Sequence, residues 1–156
     1  MAVTLTPTAG VIVEVSAADP ATFDKAGYNA LTYTAVGGFD NIGEIGDGYE
    51  AQAFDSITDG RIPYRGILDA GEIDANMADD VTDAGQVILK AAFDAAKGAT
   101  EEVISMRVRD QSGNYTACQI MVVTWRRAFG GANDIIRRAA QLRIIPGTVV
   151  ESDTSA

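Results

Sequence analysis

Alternation of apolar and polar positions dominates this chain, and one segment leaves it for a helical period. Between Ile67 and Met77 the odd positions Ile67, Ile73, Ala75 and Met77 are mainly apolar, while Glu72, Asp74 and Asn76 fall between them. That is the period of a strand with one face on a core and the other in water. Asp79 and Asp80 follow, and then Asp83, whose carboxylate can accept from backbone donors of the next turn while Gln86 reaches back. A helix is predicted over 83–97, with Leu89, Ala92, Phe93 and Ala96 on one face and Lys90, Asp94 and Lys97 on another. Gly98 sits where a left-handed residue would end it.

The flanking sequence reads mainly as strands. Residues 11–15 form a first strand, Asp19-Pro20 opens a short helical turn over 21–26, and a second strand runs from Leu31 to the glycines Gly37-Gly38. From 37 to 65 glycines interleave with Asp40, Glu44, Asp47, Glu50, Asp55 and Asp59. A connection longer than about 12–15 residues is uncommon in a compact domain unless it binds something or is disordered. Ile42, Ile45, Tyr49, Phe54 and Ile57 argue against disorder, so an extended arm or loose hairpin that orders against a partner is expected. After the helix, strands at 101–110, 115–127 and 135–145 form a meander, broken by turns at 111–114 and 130–134 and ended by Pro146-Gly147. On the last strand Ile136, Arg138, Ala140, Leu142 and Ile144 share a face, which makes Arg138 the odd member of an apolar row. The fold class is α+β: mainly β with one principal helix, as a small β-sandwich or barrel.

Composition narrows the function. The chain has 156 residues, enough for one domain with a sizeable core. Its apolar runs fall far short of the roughly 20 residues that span a bilayer, and residues 1–10 have no secretory pattern, so a soluble protein made in the cytoplasm is expected. Cys118, the single cysteine, lies among alternating apolar residues and reads as a buried small hydrophobe. The formal charge of −10 opposes free-standing nucleic-acid binding. The charge is also lopsided. Residues 1–100 carry 16 acidic against 5 basic side chains, and residues 101–156 carry 6 against 7, all seven being arginine. Arginine favours fixed, bidentate partners.

Catalytic chemistry finds little support. There is no histidine, which removes the commonest general base and metal ligand. Gly46-Asp47-Gly48-Tyr49-Glu50-Ala51 matches G-x-G-x-x-A in letters but lacks the strand before and the helix after that a dinucleotide site requires. Asp55, Asp59, Asp79, Asp80 and Asp83 lack the spacing that wraps oxygens round calcium. Glu72 and Asp74 share a strand face, as glycosidase acids can, yet no aromatic platform accompanies them. No catalytic, cofactor or metal residue is assigned, and no cofactor is expected.

One resemblance carries further. A strand over Gly66 to Asn76, followed by D-x-x-D-x-G-Q at Asp80, Asp83, Gly85 and Gln86 and then an apolar helix, resembles the major tail tube protein of long-tailed bacteriophages. The rest of the chain matches that family by pattern of elements. The resemblance implies a structural virion protein without enzymatic activity, forming hexameric rings that stack into a tube, with inner sheets joining between neighbours. It implies a 1–156 tail-tube domain: an N-terminal arm over 1–10, a stacking loop over 37–65, the helix 83–97, C-terminal strands over 101–146 and a tail over 147–156. The expected partners are further copies of the chain, tape-measure and tail-terminator proteins, and phage DNA in transit without specific binding, with no membrane. The expected location is the virion tail, after synthesis and assembly in the host cytoplasm. Close alternatives are a tail terminator, a head-to-tail joining ring, or the inner tube of a contractile injection system.

Two sets of residues follow as candidates. Asp40, Glu44, Asp47, Glu50, Asp55 and Asp59 of one ring would meet Arg126, Arg127, Arg137, Arg138 and Arg143 of the next; the alternative is that these arginines decorate a solvated sheet face. Glu72 and Asp74 would face the lumen and repel passing phosphate, or else face the outside or a subunit boundary, because alternation fixes their shared face and not its address.

Overall fold

The computed structural model describes residues 5–152; the first part of the expected N-terminal arm and the end of the C-terminal tail lie outside them. The described chain runs β1 (Ile12–Ser16), α1 (Lys25–Asn29), β2 (Thr34–Val36), β3 (Phe39–Asn41), β4 (Gly48–Ser56), β5 (Gly60–Asp69), β6 (Glu72–Ala78), α2 (Ala84–Asp94), β7 (Val103–Arg109), β8 (Tyr115–Ala128), β9 (Arg137–Ile144) and β10 (Val150–Ser152). This is the mainly β, one-helix architecture expected from the sequence.

β8 organises the main sheet, which runs β2-β1-β7-β8-β9-β6-β3 and is antiparallel at every pairing. Its 14 residues serve two sets of partners. The first half pairs with β7, from Arg109 opposite Tyr115 to Val103 opposite Met121. The second half pairs on the other side with β9, from Ile144 opposite Ile120 to Arg137 opposite Ala128. β10 continues β9's side of the first half, with Val150 opposite Ala117. Pro146, which has no amide hydrogen, interrupts β9 and β10. The chain repairs the gap locally: Ile145 N donates to Gln119 O at 2.9 Å, and Gln119 N donates to the Thr148 hydroxyl at 3.2 Å.

The two borders of this sheet, β2 and β3, are consecutive in the chain and joined by Gly37-Gly38, so the sheet curls until its edges meet. Gln86 clasps the seam. Its Nε2 donates to Ala78 O at 2.8 Å and Gly37 O at 3.3 Å, and its Oε1 accepts from Asp80 N at 3.1 Å. Asp83 caps α2 as expected, accepting from Gln86 N at 3.0 Å, and its carboxylate also lies 3.4 Å from Gly37 N. The side chain of Gln86 therefore reaches past the N-cap to Asp80, because the seam offers it two carbonyls that an isolated helix would not. Inside the curl, Leu89 and Ala92 of α2 pack with Val13, Val15, Ile73, Met77, Ile104, Met106, Ile120 and Leu142.

Three sequence expectations need correction. The short helical turn expected over 21–26 is instead α1, Lys25–Asn29, capped by Asp24 and not by Asp19. The helix ends at Asp94 rather than at 97, because Ala95 is already extended (ψ 146°), and Gly98 at φ +85° belongs to the following turn. Phe93, still within the helix, is exposed, because the buried face is that of Gly85, Gln86, Leu89 and Ala92. The strand expected across 67–77 is broken at Gly71, whose φ of +76° ends β5 and restarts the alternation in β6. Ile73, Ala75 and Met77 are buried, whereas Ile67 belongs to β5 and is exposed. The segment 37–65, expected as an extended arm or loose hairpin, does form one: it contains β3, β4 and most of β5, and β4 pairs with β5 as a separate two-stranded hairpin.

A smaller core lies on the opposite face of the β7–β8 half. Tyr28 of α1 is fully buried with Tyr115 and Ala117, and its hydroxyl donates to Thr148 O at 2.6 Å. Cys118 is buried in the main core, and desolvation pushes its thiol from 9.0 up to about 12. A raised acid pKa favours the folded state while the thiol stays protonated, so this contribution is complete below pH 9 and fades as pH climbs towards 12. At pH 8 an aromatic disulfide reagent should leave the native thiol unmodified and titrate one thiol per chain in guanidinium.

Gly85 gives a sharper test of the helix docking. A Cβ at this position would stand 2.5 Å from both Ala35 O and Val36 Cγ2, atoms of β2. Glycine to alanine inside a helix ordinarily gains about 1 kcal/mol. Here Gly85→Ala should lose about 1–3 kcal/mol through overpacking, read as a lower urea midpoint.

Candidate assembly surface

The half of the sheet made by β6, β9 and the second half of β8 has one face on the core and the other in water. Pairing puts Glu72 opposite Arg143, Asp74 opposite Gln141 and Asn76 opposite Ala139; across the next ladder Gln141 meets Thr124 and Ala139 meets Arg126. Strand alternation keeps these side chains on the outer face, while Ile73, Ala75, Ala140 and Leu142 point inward and are buried. Glu72 and Asp74 thus share an open face, as alternation required. The same face carries Arg126, Arg137 and Arg143, which the sequence had assigned to contacts with the next ring.

Most arginines are engaged within the chain. Arg143 Nη1 lies 2.6 Å from Glu72 and its Nη2 3.6 Å from Asp69, and Arg137 reaches Asp40 at 3.0 Å. Arg138 is buried and reaches Asp79 at 3.0 Å; Arg127 meets the same carboxylate at 2.9 Å. The Arg138 guanidinium also stands over the Trp125 ring, 4.9 Å from its centroid. The apolar row that made Arg138 conspicuous therefore marks an internal ion cluster. A second cluster, which sequence reasoning missed, joins buried Glu14 to Arg107 at 2.7 Å and Arg109 at 3.0 Å, with Arg107 4.0 Å from the Tyr33 centroid. Burial, the largest influence, pushes the Tyr33 phenol up to about 12, against the opposing pull of Arg107. Glu14 alternating with buried valines was its only sequence signal. Arg126 alone among the five candidate arginines has no ion-pair partner among the described residues.

The candidate acids are spread more widely. Asp55 pairs with Arg61 of the same hairpin, both exposed, at 2.9 Å. Asp59 is at the hairpin tip. Glu44, Asp47 and Glu50 gather at the hairpin base, lining a cleft of about 880 Å³ with Asp69, Glu72 and Arg143. The β4–β5 hairpin projects with Tyr49, Phe54, Ile57, Ile62, Tyr64 and Ile67 exposed. Phe54 opposes Ile62, and Gln52 opposes Tyr64, so one hairpin face is an apolar stripe. A lone two-stranded hairpin is marginal in water, and an exposed apolar stripe of this kind marks an interaction surface. Among the described residues no group of three or more metal-ligating side chains converges, and no helix is long and apolar enough to cross a membrane.

No protein-family model and no curated protein sequence matches the chain. Solved structures do match it. A chain of the sheath/tube terminator structure from the PVC extracellular contractile injection system superposes with a TM-score of 0.67 at 10% identity, over 98% of this chain and 100% of that one. A chain of the SPP1 tail tube gives 0.67 at 17% identity, over 94% and 79%. The tube-terminating cap of the anti-feeding prophage gives 0.66 at 13% identity, over 99% and 95%. The chain has the tail-tube fold. At the level of fold, the resemblance read from Asp80, Asp83, Gly85 and Gln86 holds.

The ion clusters predict unequal mutational costs. Asp79→Ala strands a buried guanidinium and should cost about 3–5 kcal/mol, whereas Asp40→Ala, which breaks an exposed pair, should cost no more than about 1 kcal/mol. Guanidinium unfolding of both variants measures the difference.

Proposed function

We propose that this protein is a structural tail subunit that polymerises with copies of itself into hexameric rings stacked as a tube, a conduit through which phage DNA passes without being held. The observation that carries this reading is the open sheet formed by β6, β9 and β8. Among the described residues, 122–128 of β8 have no strand on the side away from β9, because β7 stops pairing at Met121, and 72–75 of β6 have none on the side of β3. Unpaired strand edges invite pairing with another chain. Joining one subunit's β8 border to the opposite border of its neighbour would satisfy both, and repetition would close a ring.

In that ring the open face, with Glu72 and Asp74, lines the lumen, and the apolar hairpin stripe is covered by a neighbouring copy. The role is mechanical rather than enzymatic. Terminator and tape-measure proteins would meet the tube ends and lumen in the virion tail after assembly in the host cytoplasm. A second reading, a terminating ring, is supported by the presence of terminator and cap structures among those that superpose.

Negative-stain microscopy of the purified protein separates the readings: long hollow tubes support the conduit, isolated rings the terminator, and monomers at high concentration refute both. A bulky maleimide should label Asp74→Cys readily in the monomer and at least tenfold more slowly after assembly. Unchanged labelling would place this face outside the lumen.

A further inference from the structure

The ends of β9 carry complementary features. At one end the β8–β9 loop exposes Phe129, Ile135 and Ile136, beside the unpaired Arg126. The loop is braced internally: Gly131 N donates to Asp134 Oδ2 at 2.7 Å, Asp134 N donates to Gly131 O at 3.1 Å, and Asp79 N donates to Ile136 O at 3.2 Å. Asp134 keeps its negative charge while it braces the loop, so Arg126, on β8 just before the loop, supplies the one cation here without an ion-pair partner among the described residues. A shaped, apolar knob results, flanked by the Arg126 guanidinium.

At the other end of β9, about 20–25 Å away for a strand of this length, lies the cleft at the hairpin base. Its lining contains five carboxylates, Glu44, Asp47, Glu50, Asp69 and Glu72, against the one cation Arg143, together with Ile45, Ile67 and Leu68. Glu44 and Glu50 have no ion-pair partner among the described residues. An acidic cleft with an apolar wall suits a knob whose side chains are aromatic, aliphatic and guanidinium, and its volume of about 880 Å³ admits several of them.

We infer that the β8–β9 knob of one copy seats in the hairpin-base cleft of the next copy along the strand direction, with Arg126 meeting Glu44 or Glu50 and Phe129 lying against Ile67. The inference rests on the polymerisation reading above and names its axial contact. Knob and cleft are different surfaces at opposite ends of one molecule, so the contact is heterologous and repeats without closing. The acidity of the cleft gives it direction, since cleft on cleft would be repulsive while the Arg126 guanidinium is attracted. Arg137, Arg138 and Arg143 are spent within the chain and take no part.

The test uses the full-length protein under conditions in which it forms tubes. Phe129→Cys and Ile67→Cys are combined in one chain, both sites being exposed, and mild oxidation is followed by denaturing electrophoresis. A covalent ladder extending well beyond six chains is expected. Arg126→Glu should slow elongation at least tenfold, Glu44→Arg with Glu50→Arg should do the same, and the triple variant should recover most of the rate. Circular dichroism verifies that each remains folded. Normal tubes without the ladder, or no recovery in the triple variant, would overturn the knob-in-cleft contact and leave the tube reading standing. Failure of the unaltered protein to form tubes would overturn both.

Discussion

One strand shared by two half-sheets is the constraint from which the rest of the structure follows. At Ile120 and Met121, β8 is paired on both sides at once, to Ile104 and Val103 of β7 and to Ile144 and Arg143 of β9. Before these residues β8 belongs to the half covered on both faces, by the main core on one and the Tyr28 cluster on the other. Beyond them it belongs to the half covered on one face only. Had β7 continued alongside residues 122–128, the sheet would have no open border there. It stops because the chain entering β7 arrives from α2 through the turn at Thr100–Glu102 and meets β8 at Met121.

Closure of the curl is local and depends on few atoms. The borders are brought together by Gly37-Gly38, and the Gln86 amide bridges the carbonyls on either side. A buried amide with its hydrogen bonds made rigidifies such a junction, whereas the same amide unpaired would cost about 1–3 kcal/mol. Gly85 allows α2 to lie directly on β2, so the motif that resembles tail tube proteins is also the mechanical closure of this fold. Glutamine and glycine are adjacent because one holds the seam and the other gives it room.

Electrostatics divides into charges that hold the chain and charges that remain for a partner. Asp79 and Glu14 each bind two arginines in low-exposure surroundings, where removing the carboxylate strands cations in a poor solvent for them. The exposed pairs on the open face contribute little to stability, yet they neutralise much of a surface that would otherwise be strongly patterned. Among the charges with no ion-pair partner within the described residues, Arg126 stands towards one end of β9, Glu44 and Glu50 towards the other, and Asp74 between them on the open face.

Much of the framework was legible in the sequence. Period-two alternation located β1, β6, β7, β8 and most of β9; Asp83 located the start of α2; and the parity of Ile73, Ala75 and Met77 fixed the common face of Glu72 and Asp74. These are local properties, set by backbone geometry within a few residues, so sequence determines them alone. Tertiary structure decided which arginine meets which carboxylate, that Arg138 and Arg127 share Asp79, and that a cleft opens at the base of the hairpin. It also decided where β7 lets go of β8. Such outcomes depend on groups brought together from positions as far apart as Glu14 and Arg109, and spacing along the chain carries no record of distances that only the folded backbone sets.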